Sequence, residues 1–424
     1  MVIHMINFHS VVLDSEKCCG CTNCIKRCPT EAIRVRGGKA VIQKERCIDC
    51  GQCIRVCPHH ANKANADSFA ELANFKYNIA LPDPALFGQF NNLDELDIVL
   101  NGLLQLGFDG VFEASRGAEL VSQATRELLH QDGVVRPLIS SSCPAVLRLI
   151  KLRFPDLCEN VLPYKAPIEV AALEAKEEAH RKTGLSKSDI GVFLITPCPA
   201  KVTCIKNPSI EKGTSNCDGA IPISYVYPKL ASAMDKLTEL DDIAQSGIVG
   251  VTWAVSGGES SALLSDKYLA ADGIENVIKV LEELEDEHIR DLDFIELNAC
   301  SGGCVGGVLN VENPYVAQAR IHRLRKYLPI YQNRYNKETD FEKVKRNYVL
   351  QSEAQVMSLS PDLFRAMEMM DEMEKIKRRL PQLDCGSCGA PSCSALAEDI
   401  VRGNAKESDC VIRLKRRLIN NEGK

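Results

Sequence analysis

Apolar and polar positions follow two periods along residues 78–300, and together they predict an α/β fold. Short apolar runs indicate buried strands in YNIAL, GVFEA, VVRPLISSSC, IGVFLITPC, DFIELNAC and GIVGVTWAV, the last ending in a Gly257–Gly258 turn. Helical spacing of apolar residues occurs in LDELDIVLNGLLQLG, AELVSQATRELLH, PAVLRLIKLRF, APIEVAALEAKEEAHRKT and the acidic stretch 275–290. Strands that alternate with helices are typical of a largely parallel sheet flanked by helices.

Three of the predicted strands end at a cysteine, namely Cys143, Cys198 and Cys300. Because parallel sheets bind ligands beyond the carboxyl ends of their strands, we expect these cysteines to meet at one edge, with Cys304 arriving beside Cys300. The loop between them, ACSGGCVGG, is rich in glycine, which lets a backbone pass close to a bulky group. Four thiolates are a suitable ligand set for an iron–sulfur cubane. The alternative is that these cysteines are small buried packing residues.

Residues 11–65 contain a duplication of the pattern C-x2-C-x2-C-x3-C-P, with a predicted Gly-Gly hairpin, AIRVRGGKAVI, between the copies. This spacing is typical of two-cluster ferredoxins, in which the fourth cysteine of each run binds the other cluster. The predicted ligands of one 4Fe-4S cluster are Cys18, Cys21, Cys24 and Cys57. Those of the other are Cys47, Cys50, Cys53 and Cys28. A zinc site is the alternative, but it needs only four ligands and does not require the doubled pattern.

A third cysteine-rich segment follows an amphipathic helix predicted over SPDLFRAMEMMDEMEKIKRRL. Its cysteines have the spacing C-x2-C-x4-C-x16-C and are Cys385, Cys388, Cys393 and Cys410. They predict a further 4Fe-4S cluster, with zinc as the alternative. The chain is thus divided into a ferredoxin-like domain over 1–75, an α/β domain over 76–350, and a helical linker with a small cluster domain over 351–424. Of the four cysteines left over, Cys19 adjoins a predicted ligand and is interpreted as a spare, whereas Cys158, Cys204 and Cys217 are expected to pack.

Composition limits the setting of this chemistry. The 424 residues carry a net charge of −6, which argues against a nucleic-acid-binding protein. The twenty cysteines have cluster-ligand spacings, and no export signal precedes them, so we expect a reducing, cytoplasmic location. The chain has no run of 18 apolar residues, so no membrane span is expected. It also lacks a P-loop, G-x-G-x-x-G or H-E-x-x-H motif, so nucleotides are not implied.

Three of these segments resemble the signatures of the [FeFe]-hydrogenase catalytic domain: SSSCPAV, TPCPAK and ELNACSGGCVGG. The resemblance covers roughly residues 1–320, and the last module resembles the small cubane domain of corrinoid iron–sulfur proteins. It implies an H-cluster whose cubane is held by Cys143, Cys198, Cys300 and Cys304. Cys304 would bridge to a two-iron subcluster with CO, CN⁻ and azadithiolate ligands. Lys201 would hydrogen-bond a cyanide, and the other residues expected to adjoin the cofactor are Pro84, Ala85, Gly257 and Gly303.

The departures from the family pattern affect proton transfer most. Ser142 stands where active members have a proton-relay cysteine, and a serine hydroxyl is far less acidic than a thiol. Thr196 and Asn298 replace two methionines and make the pocket more polar. The combination is similar to the sensory branch of the family. It implies slow H2 chemistry, maturation by separate maturases, and signalling to a redox partner, either ferredoxin-like or a signalling protein.

Two other functions are left open by the sequence. One is a ferredoxin-dependent bidirectional hydrogenase that moves protons through Ser142 and water. The other is a non-catalytic iron–sulfur assembly, adaptor or electron-transfer protein that holds only cubanes. The oligomeric state is also open, and a homodimer is compatible with the sequence.

Overall fold

The computed structural model describes residues 8–207 and 215–422 of the chain. The N-terminal part contains two antiparallel two-stranded sheets and two short helices. These elements are β1 (Val11–Leu13), α1 (Asn23–Lys26), β2 (Ile33–Arg36), β3 (Lys39–Ile42), α2 (Gln52–Arg55) and β4 (Asn62–Ala64). β1 pairs with β4, and β2 pairs with β3 across Gly37 and Gly38, which have φ of 56° and 73°. Glycine adopts this left-handed conformation easily, and the predicted hairpin is confirmed.

The central part consists of two parallel sheets with helices between their strands, which confirms the predicted α/β fold. The elements are β5 (Tyr77–Pro82), α3 (Asp97–Leu104), β6 (Gly110–Val111), α4 (Ala114–Leu129), β7 (Leu138–Ile139), α5 (Pro144–Arg153), α6 (Pro167–Thr183), β8 (Ile190–Thr196), α7 (Pro199–Lys206), β9 (Gly219–Pro222), α8 (Ile223–Met234), α9 (Ile248–Thr252), α10 (Gly258–Ser261), β10 (Tyr268–Asp272), α11 (Ile274–Glu285) and β11 (Phe294–Asn298). The strand orders are β6-β5-β8-β9 and β10-β11-β7.

Both sheets are covered by apolar helix faces. All seven residues of β8 are buried, as expected for a parallel strand that is packed on both sides. Leu194 of β8 faces Ala171 and Ala175 of α6, whereas Phe193 faces the side that α3 and α8 cover. In the second sheet, Ile295 of β11 packs with α5 and α11. The two sheets therefore have separate cores within the central part.

The predicted strand GIVGVTWAV is wrong, because this segment forms α9. A short apolar run does not distinguish a buried strand from a buried helix, and α9 is buried against α4. Gly250 makes this packing close, since a Cβ there would lie 2.2 Å from the carbonyl oxygen of Ser115. Four strands were not predicted: β9 and the half-exposed β10 in the central part, and β1 and β4 in the N-terminal part.

The strand ends also differ from the prediction. β7 ends at Ile139 and β8 ends at Thr196, so Cys143 and Cys198 lie beyond the strands. Each is instead the residue that caps the next helix, α5 or α7, with a proline at the first helical position. Proline suits that position because its fixed φ is helical, and because the N–H group that it lacks would have no acceptor within the helix.

The C-terminal part is helical and docks on the N-terminal part. Its helices are α12 (Pro314–Leu324), α13 (Lys337–Val344), α14 (Leu363–Arg379), α15 (Cys393–Val401) and α16 (Val411–Glu422). The backbone N–H of Val35 donates to the carbonyl of Gly389 at 2.7 Å. Asp399 accepts from Arg34 at 2.8 Å, and these side chains are only 4% and 5% exposed. Within the described residues, every helix is too short or too polar to span the bilayer.

We expect Asp399→Ala to release the C-terminal part from the N-terminal part. The substitution leaves the buried guanidinium of Arg34 without its carboxylate, and breaking a buried ion pair costs about 3–5 kcal/mol. Limited proteolysis of the full chain should then cut faster between residues 351 and 392. Asp371→Ala is the control, because Asp371 pairs with Lys375 on an exposed helix face. Equal cleavage rates in both variants would contradict the role given to Asp399.

Candidate metal centre

Four cysteines converge where the two parallel sheets end. Cys143 and Cys198 cap α5 and α7, and Cys300 and Cys304 lie in the loop after β11. Burial raises the pKa of Cys300 well above its ordinary value, and the sulfurs of Cys198, Cys143 and Cys304 raise it further. Burial also raises the pKa of Cys304 to about 12 and that of Cys198 to about 11. These four cysteines therefore lie near one another, and their role as ligands of one metal centre stays a prediction.

The donor set fits an iron–sulfur cubane. None of these four cysteines forms a disulfide, so no disulfide explains the convergence. The raised pKa values of Cys198, Cys300 and Cys304 mean that these thiols are poorly ionised on their own, whereas a bound metal deprotonates coordinating thiols outright. Soft thiolate ligands favour iron–sulfur clusters or zinc over harder metals.

The glycines of the loop serve the packing of the protein itself. A Cβ at Gly303, which has φ of 87°, would lie 2.6 Å from the backbone nitrogen of Ser256. A Cβ at Gly307 would lie 2.4 Å from the carbonyl oxygen of Pro197. These glycines therefore let the loops that carry the cysteines close on one another. At Gly257, by contrast, a Cβ would meet no atom within 4 Å.

Lys201 is held by a carboxylate that the sequence prediction did not assign to it. Its ammonium nitrogen lies 2.5 Å from Asp83 Oδ2 and 3.8 Å from Cys304 Sγ. Burial alone would lower the pKa of Lys201, but the charges of Asp83, Cys304 and Cys198 raise it above its ordinary value. Asp83 also accepts from the backbone N–H of Ala85 at 3.0 Å and so fixes the buried turn that begins at Pro84. The sequence signal for this pair is Asp83 itself, because a charged residue inside the otherwise apolar run ALPDPAL needs a buried partner.

Ser142 belongs to a buried network with two glutamates. Its hydroxyl donates to Glu259 Oε2 at 3.1 Å, and Ser140 donates to the same oxygen at 2.6 Å. Burial and the nearby Glu296 raise the pKa of Glu259 to about 8, against the opposing effect of the two serines. Glu296 accepts from the backbone N–H groups of Gly257 and Ser260, so it is the better stabilised carboxylate of the two. Glu259 thus carries a proton at neutral pH. Neither glutamate was predicted as a site residue.

The remaining cysteine sets are grouped as the ferredoxin pattern predicts. Cys28 lies in electrostatic contact with Cys47, Cys50 and Cys53. Cys24 has the same relation to Cys18 and Cys21, and Asn62 adjoins the sulfurs of both Cys24 and Cys57. One small cavity is lined by the four C-terminal cysteines Cys385, Cys388, Cys393 and Cys410. Among the unassigned cysteines, Cys158 and Cys217 are buried and Cys19 is exposed.

The N-terminal part lies directly against the four-cysteine centre. A Cβ at Gly51 would be 2.6 Å from Val308 and 3.1 Å from Pro199, so the backbone beside Cys50 packs on the loops of the centre. Arg55 donates to the carbonyl of Gly306, between Cys304 and the end of that loop. Two cysteine-rich sites are therefore neighbours across this contact.

Comparison with known families agrees with this geometry. The family described as iron only hydrogenase large subunit, C-terminal domain, matches residues 76–264 and 230–308. A 4Fe-4S dicluster family matches residues 10–58, and a family of Fe-S cluster segments matches residues 380–412.

Individual relatives are distant. Iron hydrogenase 1 of Clostridium pasteurianum is 23% identical over 272 residues, which is 52% of this chain and 46% of that protein. The NADP-reducing hydrogenase subunit HndD of Solidesulfovibrio fructosivorans is 23% identical over 261 residues, 48% of this chain and 44% of that protein. The chain thus matches less than half the length of these relatives. A structure of [FeFe]-hydrogenase HydA1 from Chlamydomonas reinhardtii shares the fold, with a TM-score of 0.52, 18% identity, and coverage of 67% of this chain and 98% of that one.

We expect Asp83→Asn to destabilise the metal-free protein by about 3 kcal/mol, because it leaves the buried ammonium of Lys201 without a carboxylate. Adding Lys201→Met should restore most of the loss, since removing both members of a buried pair is often nearly neutral. Denaturant unfolding followed by the fluorescence of Trp253, the single tryptophan, measures both effects. A double variant as unstable as the single one would contradict the pairing.

The stability of the metal-free protein should fall as pH rises from about 5 to 8. The folded-state pKa of Glu259, about 8, exceeds the value of roughly 4.3 in an unfolded chain, so the folded state binds the extra proton in this window. Glu259→Gln should flatten this part of the stability profile. Glu127→Gln, on the exposed side of α4, is the control and should leave it unchanged. Identical slopes in wild type and Glu259→Gln would exclude the buried proton.

Proposed function

We propose that the chain binds an H-cluster and interconverts H2 with protons and electrons. It belongs to the iron-only hydrogenase large-subunit family, with a 4Fe-4S dicluster segment before its hydrogenase domain and an Fe-S cluster segment after it. The convergence of Cys143, Cys198, Cys300 and Cys304 in one buried site carries this proposal. We assign them as the cubane ligands, with Cys304 also bridging to a two-iron subcluster that has CO, CN⁻ and azadithiolate ligands. When bound, the H-cluster would supply the iron site at which H2 is split or formed.

Electrons would travel through three further 4Fe-4S clusters. Their assigned ligand sets are the N-terminal sets Cys47, Cys50, Cys53, Cys28 and Cys18, Cys21, Cys24, Cys57, and the C-terminal set Cys385, Cys388, Cys393, Cys410. The packing of Gly51 against Pro199 and Val308 supports direct exchange between the first of these sets and the H-cluster. The contact between Cys53 and Cys24 supports exchange between the two N-terminal sets.

Protons would pass through Ser142. Its hydroxyl is hydrogen-bonded to Glu259, whose carboxyl holds a proton at neutral pH. Because a hydroxyl gives up its proton far less readily than a thiol, we propose that turnover is slow. Slow turnover suits a sensor of H2, which would report its redox state to a ferredoxin-like or signalling partner.

The ion pair of Lys201 and Asp83 supports a second candidate. A lysine that already faces a carboxylate at 2.5 Å is less available to a cyanide ligand. The second candidate is an electron-transfer protein that holds a cubane on the same four cysteines and no two-iron subcluster.

Infrared spectroscopy of the protein, produced together with hydrogenase maturases, separates the two candidates. The CO and CN⁻ ligands of an H-cluster absorb where protein does not, so we expect bands that shift on exposure to H2. A sample with full iron content and no such bands would overturn the hydrogenase proposal and support the cubane-only candidate.

We expect Ser142→Cys to raise the rate of H2 oxidation with an artificial acceptor by tenfold or more, since a well-placed acid or base contributes about 10²–10⁴ to a rate. Ser141→Cys is the matched control, because the Ser141 hydroxyl donates to the carbonyl of Tyr164 and not to Glu259. A wild-type rate that equals the rate of the Ser142→Cys variant would mean that proton transfer at this position does not limit turnover.

A further inference from the structure

The C-terminal module, residues 380–412 with α16, is fixed to the N-terminal part by buried charges. Arg46 pairs with Glu398, and Asp399 lies 2.8 Å from Arg34 and 2.6 Å from Arg36. Ser392 donates to Glu31 at 2.9 Å. This contact holds the C-terminal cysteines at a fixed position relative to the ferredoxin-like cysteines, which electron transfer between the two sets would require.

The outer side of the same module leaves its cysteine site open to solvent. Cys385 is exposed, whereas Cys410 is buried at the start of α16. The apolar side chains around this opening are also exposed: Leu383 is 58% exposed and Val411, which lines the same cavity, is 47% exposed. Leu414 continues this apolar strip on the next turn of α16 at 46% exposure. The strip is small, as is usual for short-lived electron-transfer contacts.

The excess of positive charge in this module is confined to α16. The module over 380–422 contains six Lys and Arg and six Asp and Glu, but four of the basic residues and only one acid lie in α16, whereas the whole chain carries a net charge of −6. Part of this charge is paired internally, since Glu407 binds both Arg379 and Arg413. Lys415 and Arg416 are exposed and have no ion-pair partner among the described residues.

A basic group from the N-terminal part adds to this surface. The stem of Lys26 packs against the backbone beside Cys385, since a Cβ at Gly386 would lie 2.9 Å from its Cε atom. The exposed edge of the cysteine site is therefore an apolar strip with cationic side chains on two sides.

We propose that this surface, formed by Leu383, Val411, Leu414, Lys26, Lys415 and Arg416, is the docking site of an acidic one-electron carrier protein. The inference rests on the proposed C-terminal cluster. One electron passes from the reduced carrier to that cluster, so the carrier is oxidised and the cluster is reduced, and the reverse transfer uses the same contact. Complementary charge brings such partners together quickly, and the apolar strip holds them at the cluster edge.

A membrane surface is the competing occupant, because a basic amphipathic helix such as α16 can also lie on anionic lipid. The position of the strip favours the carrier. Val411 lines the cysteine cavity itself, so whatever covers the strip also covers the cluster edge. The described part of α16 has no exposed aromatic side chain to anchor it in a bilayer.

The test uses the full chain with its clusters and a pre-reduced 2Fe-2S ferredoxin of net negative charge, whose reoxidation is followed by stopped-flow absorbance. The double variant K415E/R416E should lower the second-order rate constant about tenfold at low salt, and the difference should close to within twofold at 0.5 M salt as charges are screened. R181E/K182E changes the net charge equally on two exposed residues at the end of α6 and should stay within twofold of wild type.

If both double variants lower the second-order rate constant equally, or if neither lowers it, the proposed docking site is wrong. Flotation with phosphatidylserine vesicles provides the other arm. If K415E/R416E abolishes flotation and leaves the ferredoxin rate unchanged, the surface belongs to a membrane and the proposal is wrong. Iron analysis tests the C-terminal cluster separately from the docking site. If the wild-type chain already lacks about four irons, and a variant without Cys385 and Cys388 lacks no more, the C-terminal cluster does not exist.

Discussion

Four partly buried cysteines at the common edge of two parallel sheets are the constraint on which this structure depends. They lie in three local settings, the caps of α5 and α7 and the loop after β11, and the close packing of Gly307 on Pro197 brings the loop against the cap of α7. The Lys201 ammonium, which lies 2.5 Å from Asp83, offsets only part of the cost of ionising Cys198 and Cys304. The pKa values of these thiols stay raised without a metal, whereas a bound cluster would deprotonate them, and this is why the site indicates one.

The same edge collects the groups that handle protons and electrons. The Ser142–Glu259 hydrogen bond lies beside Cys143, and the contact of Arg55 with the Gly306 carbonyl joins the N-terminal part to the loop that carries Cys304. Under the proposed function, the hydroxyl of Ser142 beside the Glu259 carboxyl and the nearby cysteine sets would exchange electrons readily and protons slowly. The buried salt bridges of Asp399 extend this arrangement to the C-terminal module.

Much of this was predictable because the signals are local or repeated. The doubled C-x2-C-x2-C-x3-C-P spacing by itself predicts that the fourth cysteine of each run binds the other cluster. A strand as uniformly apolar as β8 is also easy to recognise in the sequence. The convergence of Cys143, Cys198 and Cys300 followed from a general property of parallel sheets. Tertiary contacts decided the rest. α9 is a helix because of what it packs against, and the Asp83–Lys201 pair joins residues more than a hundred positions apart. The strand β10, YLAAD, is short and half-exposed, and two of its five residues are alanines, which are depleted in strands, so its sequence pattern does not distinguish it as a strand.

The central claim, that Cys143, Cys198, Cys300 and Cys304 bind one cluster, is tested most directly by iron and sulfide analysis with Mössbauer spectroscopy. The full chain, reconstituted without maturases, should contain four cubanes, or about sixteen irons. Cys300→Ala should remove one cubane and leave the spectra of the other three unchanged. Three cubanes in the wild-type chain, or an unchanged iron content in the variant, would contradict the account.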